Sequence, residues 1–278
     1  MGRRMTIRKC VRWGLIVCAA AAGPMASMAA QPLDAKQLVQ EAVRTQLAAD
    51  RDDRSHWRYI RTNDGKDKSV VVETETGAIG KRIEVDGRPA SAAIQAEDDA
   101  GIQKFIHDPG MQEKQRKNGE HDDKSATELL NLMPEAFLWK VDSETADTIT
   151  LSYRPNPGFS PPDMEARVMG SMTGTMTVTK GGHRIHSFKG RLENDVTIGF
   201  GLLARIKTGS NFDIERRDVG GGVWQITETH VHIGGHALFF KTIGTQEDEV
   251  KSDFTPVPAG TTLEQAVGLL NGPGVARR

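Results

Sequence analysis

Cysteine is missing from residue 19 onward; the two in the chain, Cys10 and Cys18, both lie near its N-terminus. That excludes disulfide staples, a thiol nucleophile and a Cys-ligated metal from the greater part of the protein. Catalytic signatures are missing too. There is no Gly-x-Ser-x-Gly elbow and no His-Glu-x-x-His, so the usual serine-hydrolase and zinc-protease arrangements are not announced. Gly220-Gly221-Gly222 is flanked by strand patterns and no helix start follows it, which excludes a phosphate loop. Beyond the N-terminal segment no apolar run approaches the roughly 20 residues that a spanning helix needs. No basic excess exists either: the chain has 36 Lys and Arg against 37 Asp and Glu.

What is present begins with an export pattern. Arg3, Arg4, Arg8, Lys9 and Arg12 precede the apolar residues 13–23, and Ser27-Met28-Ala29 fits the small-x-small cleavage rule. Residues 1–29 are therefore expected to be a cleaved signal peptide and the protein to be exported, with the periplasm of a Gram-negative bacterium as its expected location. Arg3-Arg4 lacks the pattern that follows a twin-arginine pair, and Val17 is too bulky for a lipobox ahead of Cys18. Removing the five leader bases leaves a net charge of about −6, which argues against general nucleic-acid binding.

Residues 30–278 read as a single α+β domain. Leu38, Val39, Ala42, Val43 and Leu47 fall at helical spacing within 33–50. Three short strands follow at 57–61, 69–74 and 80–85, punctuated by Asn63-Asp64-Gly65, Thr76-Gly77 and Asp86-Gly87. Residues 92–118 read as charged helix broken at Asp108-Pro109-Gly110, 119–124 as loop, and 126–133 as a helix stopped by Pro134. Strand patterns then occupy 136–141, 148–153, 167–179, 184–192, 212–219, 223–233 and 237–243, with a bulge or bend expected at Gly234-Gly235 and a last helix at 262–270. In 171–179, Met172, Met176 and Val178 alternate with threonines, as in a sheet with one wet and one covered face. The expected fold is a strongly curved antiparallel β half-barrel covered by a few α-helices, with an apolar concavity between the layers.

That order of elements in an exported chain resembles the lipoprotein-carrier half-barrel of the periplasmic carriers LolA and LolB. Local strings such as Tyr153-Arg154-Pro155-Asn156-Pro157, Gly199-Phe200-Gly201-Leu202-Leu203 and Gly221-Gly222-Val223-Trp224 are similar to those of a group of secreted bacterial proteins. The resemblance spans roughly residues 33–250 and implies a cavity for acyl chains. It carries over no specific ligand residue.

The expected partner is therefore a hydrophobic ligand, a lipid or the acyl chain of a lipoprotein, with transient membrane contact and no cofactor. Phe200, Leu202 and Leu203 are apolar where a connection should be polar, and they are expected at the cavity mouth, with Arg205 placed to hold a head group. Trp224 and Phe239 complete the expected lining. An alternative is a metal-dependent hydrolase built on His230 and His232, which share a strand face. A third is an envelope protein that meets a partner along a sheet edge. Asp98-Asp99 and Asp122-Asp123 read as solvated surface rather than catalytic pairs.

Overall fold

A computed structural model describes residues 34–198, 204–237 and 241–272. In chain order the elements are α1 (Ala35–Asp52), β1 (His56–Asn63), β2 (Asp67–Thr74), β3 (Gly77–Val85), β4 (Arg88–Pro89), α2 (Ala92–His107) and α3 (Pro109–Ala136). Then come β5 (Phe137–Glu144), β6 (Thr148–Pro155), α4 (Met164–Met169), β7 (Met172–Thr179), β8 (Ile185–Leu192), β9 (Val196–Ile198) and β10 (Ala204–Ile206). The last are β11 (Asn211–Gly220), β12 (Val223–Ala237), β13 (Lys241–Val257) and α5 (Leu263–Leu270). The fold is α+β: all thirteen strands join one antiparallel, unclosed sheet, ordered β4-β3-β2-β1-β13-β12-β11-β8-β7-β6-β5, with β9 and β10 attached at the far end of β12. No helix of the described residues is long and apolar enough to cross a membrane.

Local chemistry accounts for most boundaries. Asp34 caps α1 by accepting from the Lys36 and Gln37 amides. Asp64 and Gly65 turn β1 into β2, and Asp86 and Gly87 turn β3 into β4, all four at positive φ. Two expectations are corrected here. Residues 119–124 are not a loop, and Pro134 does not stop a helix: α3 runs unbroken from Pro109 to Ala136. Its solvent side is laced by Glu113, Arg116, Lys117 and Glu120, then by Lys124 and Glu128, at helical spacing. Pro134 lies in the last turn, where it leaves the Leu130 carbonyl without an intrahelical amide partner. A third correction concerns 167–179, which begins as α4, capped by the Asp163 carboxylate on the Ala166 amide, before β7 starts. A fourth concerns Gly234-Gly235, which form no bulge; they pair in register with Gly244 and Ile243 in the long β12–β13 hairpin.

The helices lie on opposite faces of the sheet at its two ends. On one face, Phe137, Tyr153, Met176 and Leu192 pack with Leu38, Val39 and Val43 of α1 and Met133 of α3. Register carries this face across β11, β12 and β13 to Tyr59 and Val71, where Trp57 and Phe254 join them. The opposite face of β2 and β3 presents Val70, Val72 and Ile79, which pack with Ile102 and Phe105 of α2 and Leu263, Ala266 and Leu270 of α5. Between the two ends, that second face is polar.

Candidate functional site

The α2 end of the sheet carries the site. Ser91 caps α2 at the Ile94 amide, and the helix presents its two buried side chains, Ile102 and Phe105, to β3. Salt links fix its distance from the strand. Arg82 on β3 donates to both oxygens of Asp98 and to Glu97, and Lys81 donates to Asp99. Asp98 also accepts the Arg82 backbone amide. The expectation that the pair is solvated surface is thereby corrected for Asp98, whose carboxylate is largely covered by Arg82, while Asp99 is exposed as expected. Between them a cleft of about 370 Å³ opens, floored by Ile79, Ile102 and Phe105 and rimmed by Arg82, Glu97 and Asp98. The floor side chains belong to the buried apolar cluster, and the cleft above them is wide open to solvent.

Arg58 sits deeper on the same face. It pairs with Val72 on β2, which pairs with Ile79 on β3, so the three form one cross-strand row. Arg58 is 7% exposed. Its Nε donates to the Leu269 carbonyl at the end of α5, 2.9 Å away, and its Nη2 is buried with no partner.

A second constellation occupies the polar middle of that face. His230 and His232 project from β12 on the same side and donate to the two oxygens of Asp248 on β13, at 2.8 and 3.0 Å. Glu228 stands 4.0 Å from the other nitrogen of His230, and Lys189 of β8 bridges Asp213 and Glu215 of β11. Asp248 uses both oxygens on the imidazoles, and among the described residues no group of three or more His, Cys, Asp or Glu is placed to hold a metal ion. The arrangement pins β12 to β13. The His232 and His230 hydrogen bonds hold the Asp248 carboxyl at about 2, below the ordinary carboxylate range. A depressed carboxyl stabilises the fold above its unfolded value near 4, and that contribution is lost as pH falls toward 2. Urea unfolding midpoints should therefore drop less between pH 5 and pH 2.5 in Asp248→Asn than in the wild type. Equal drops would show that the pair contributes nothing.

The residues singled out in the sequence scatter. Arg205 on β10 pairs with His236 near the end of β12 and lies 3.7 Å from Asp195. Trp224 starts β12 opposite Asp218, twelve residues away along that strand, or roughly 40 Å at the rise of an extended chain. Its ring meets His186 edge-on, with the Arg184 guanidinium 5.8 Å from its centroid. Arg205 and Trp224 cannot line one small pocket. Phe200, Leu202, Leu203 and Phe239 lie outside the described residues, as does the signal segment. Two other clefts open elsewhere on the described residues. One of about 690 Å³, beside β10 and β12, has a single apolar side chain, Ile233. The other, about 500 Å³, lies between the proline-rich loop and α4, where Pro157, Phe159, Pro161 and Ala166 line it together with Asn156 and Arg167. Arg58, Ile79, Ile102 and Phe105 were not singled out in the sequence, although Arg58 shares strand parity with Ile60 and so occupies an inward position.

No family model, curated protein or solved structure matches the chain.

Proposed function

We propose that the protein is an exported carrier that holds a hydrophobic ligand, a lipid or the acyl chain of a lipoprotein, between the sheet and its helices. The observation that carries this reading is the cleft floored by Ile79, Ile102 and Phe105, which reaches the buried apolar cluster at the α2 end of the sheet. Its volume falls in the range of small-molecule sites, and its makeup, an apolar floor with a few oriented polar groups, is the usual one. Burial of an acyl chain there is worth about 0.8 kcal/mol for each methylene removed from water. Release then requires an acceptor that buries the chain as well, a second carrier or a membrane.

The strongly curved half-barrel and the likeness to the lipoprotein carriers belong to the same reading. Ten successive pairings lead from β4 to β5. At a twist of roughly 20–25° each, they rotate one end of the sheet by roughly 200–250° relative to the other, and the seven between β2–β3 and β6–β7 account for roughly 140–175° of this. A rotation of that size turns the opposite faces of β2–β3 and β6–β7 toward one side, which would set all the helices within one concavity. Export to the periplasm is part of the proposal and rests on the basic, apolar and small-residue pattern of residues 1–29.

Gly101 supplies the test. It lies on the α2 wall of the cleft, and a Cβ built there meets nothing within 4 Å. Gly101→Ala should raise stability by about 0.5–1 kcal/mol, since the position is helix interior. Gly101→Trp should fill the cleft, keep the fold and weaken binding of a fluorescent fatty acid at least tenfold. Native mass spectrometry of protein recovered from the envelope of expressing cells should show a bound lipid that Gly101→Trp lacks. A lipid-free wild type that also takes up no fatty acid would overturn the reading.

A further inference from the structure

The deeper residue of the row says what head group the ligand carries. Resting on the carrier reading, we propose that the ligand is a single-chain amphiphile with an anionic head, a fatty carboxylate in the simplest case, and that Arg58 receives the head. A guanidinium is rarely buried unless it is paired, because an unpaired buried charge forfeits its hydration. On its face Arg58 stands opposite Val72 of β2 and Thr255 of β13, with Val70 and Val257 beside them, and it has one hydrogen bond, through Nε, to a neutral carbonyl. No carboxylate pairs with it among the described residues, and its buried Nη2 has no partner at all. Service as a cap for α5 accounts for Nε and leaves Nη2 unexplained. A carboxylate accounts for it, since the planar fork of arginine matches two carboxylate oxygens and charge-assisted bonds are the stronger kind.

The distances suit one molecule. Ile79 in the cleft floor and Arg58 are two strands apart in the same row, roughly 10 Å between backbones. Neither Val72 nor Arg58 lines the cleft, and Val72 is fully buried beneath α5, so an acyl chain lying over Ile79 and Phe105 brings its head to the guanidinium only when α5 lifts from Val72. The rim strengthens the choice of polarity. Arg82 at the mouth is already matched by Asp98 and Glu97, so the mouth offers no free cation to compete for the head.

The experiment compares palmitate, methyl palmitate and hexadecyltrimethylammonium on the full mature chain at pH 8, by equilibrium dialysis and native mass spectrometry. Palmitate should bind at least tenfold more tightly than its ester, and the ammonium amphiphile most weakly. Arg58→Gln should abolish the preference for acid over ester while still binding the ester, and Arg58→Lys should keep part of it. If Arg58→Gln fails to fold, the wild-type acid-to-ester ratio and Arg58→Lys still decide. Equal binding of acid and ester by the wild type overturns the head-group assignment and leaves the carrier reading standing. Binding of none of the three overturns both. A folded but less stable Arg58→Gln with an unchanged acid-to-ester ratio makes Arg58 a cap of α5 alone and overturns this inference.

Discussion

Gly190→Ala should cost roughly 2–4 kcal/mol of stability, and Gly190→Val the fold itself. Gly190 on β8 pairs with Gly174 on β7. Neither glycine needs its conformational freedom; each is needed for space. An aromatic row crosses the sheet at this point: Phe137 and Trp139 of β5, Tyr153 of β6, Phe188 of β8 and Phe212 of β11, with neighbouring centroids 4.4 to 5.7 Å apart. Tyr153 reaches over β7 and donates its hydroxyl to the Lys189 carbonyl, 2.9 Å away. A Cβ on Gly190 would stand 2.3 Å from a Phe212 ring carbon and 2.5 Å from that hydroxyl. A Cβ on Gly174 would stand 1.8 Å from the Lys189 carbonyl oxygen and 2.6 Å from the same hydroxyl. The two substitutions should differ in one respect. In a Tyr153→Phe background, Gly190→Ala should cost less than in the wild type, because the oxygen it meets is gone. Gly174→Ala should keep most of its cost, because the obstruction is backbone. Urea unfolding of the single and double variants gives these values directly. If Gly190→Ala is neutral, the row is looser than its ring spacings imply.

That row shows what the sequence does and does not carry. The alternation of Met172, Met176 and Val178 with threonines told which face of β7 is covered, because strand parity is a local property. Gly174 falls on that same face, yet nothing local says that a hydroxyl from another strand fills the space above it. The same division runs through the fold. The Asp64-Gly65 and Asp86-Gly87 hairpins were legible because positive φ leaves a signature in two residues. The second half of β13 was not: between Gln246 and Asp253 every residue but Val250 is charged or polar, and its pairing with β1 and β12 is set by long-range register. Hence the chain's longest strand was missed beyond residue 243, and with it Asp248, the residue that gathers the two histidines. His230 and His232 were rightly placed on one face by parity alone; their shared partner lay beyond reach. The cleft was illegible for a similar reason. Ile102 and Phe105 sit in a helix read only as part of the charged stretch 92–118, and Arg58 looks like any strand arginine until α5, more than 200 residues later, covers it.

The two tyrosines of the chain should stay silent at pH 11, where about nine in ten free phenols are ionised. Tyr59 and Tyr153 are 6% and 4% exposed. Burial pushes both phenols well above their ordinary value, and at Tyr59 the Glu73 carboxylate adds repulsion against a phenolate. The surroundings favour the neutral form at each site. Tyr153 donates to a backbone carbonyl, which a phenolate could not do, and Tyr59 stacks on Phe254 with centroids 5.3 Å apart. A phenol raised in the folded state stabilises the fold fully below its unfolded value near 10, and the contribution is lost as pH rises above that value. Each tyrosine then removes about 1.4 kcal/mol per pH unit, and the pair about 2.8, so alkaline unfolding should be steep. Absorbance at 295 nm on raising the pH should therefore stay flat and then rise together with the loss of circular dichroism. The urea-unfolded chain should titrate smoothly near pH 10. Tyr153→Phe should halve the amplitude and make unfolding less steep with pH while lowering stability at pH 7, where the hydrogen bond to Lys189 is gone. One phenol ionising near pH 10 in protein that keeps its circular dichroism would mean that the corresponding cluster is open to water. For Tyr153 it would undo the aromatic row; for Tyr59 it would undo the packing on the face opposite Arg58.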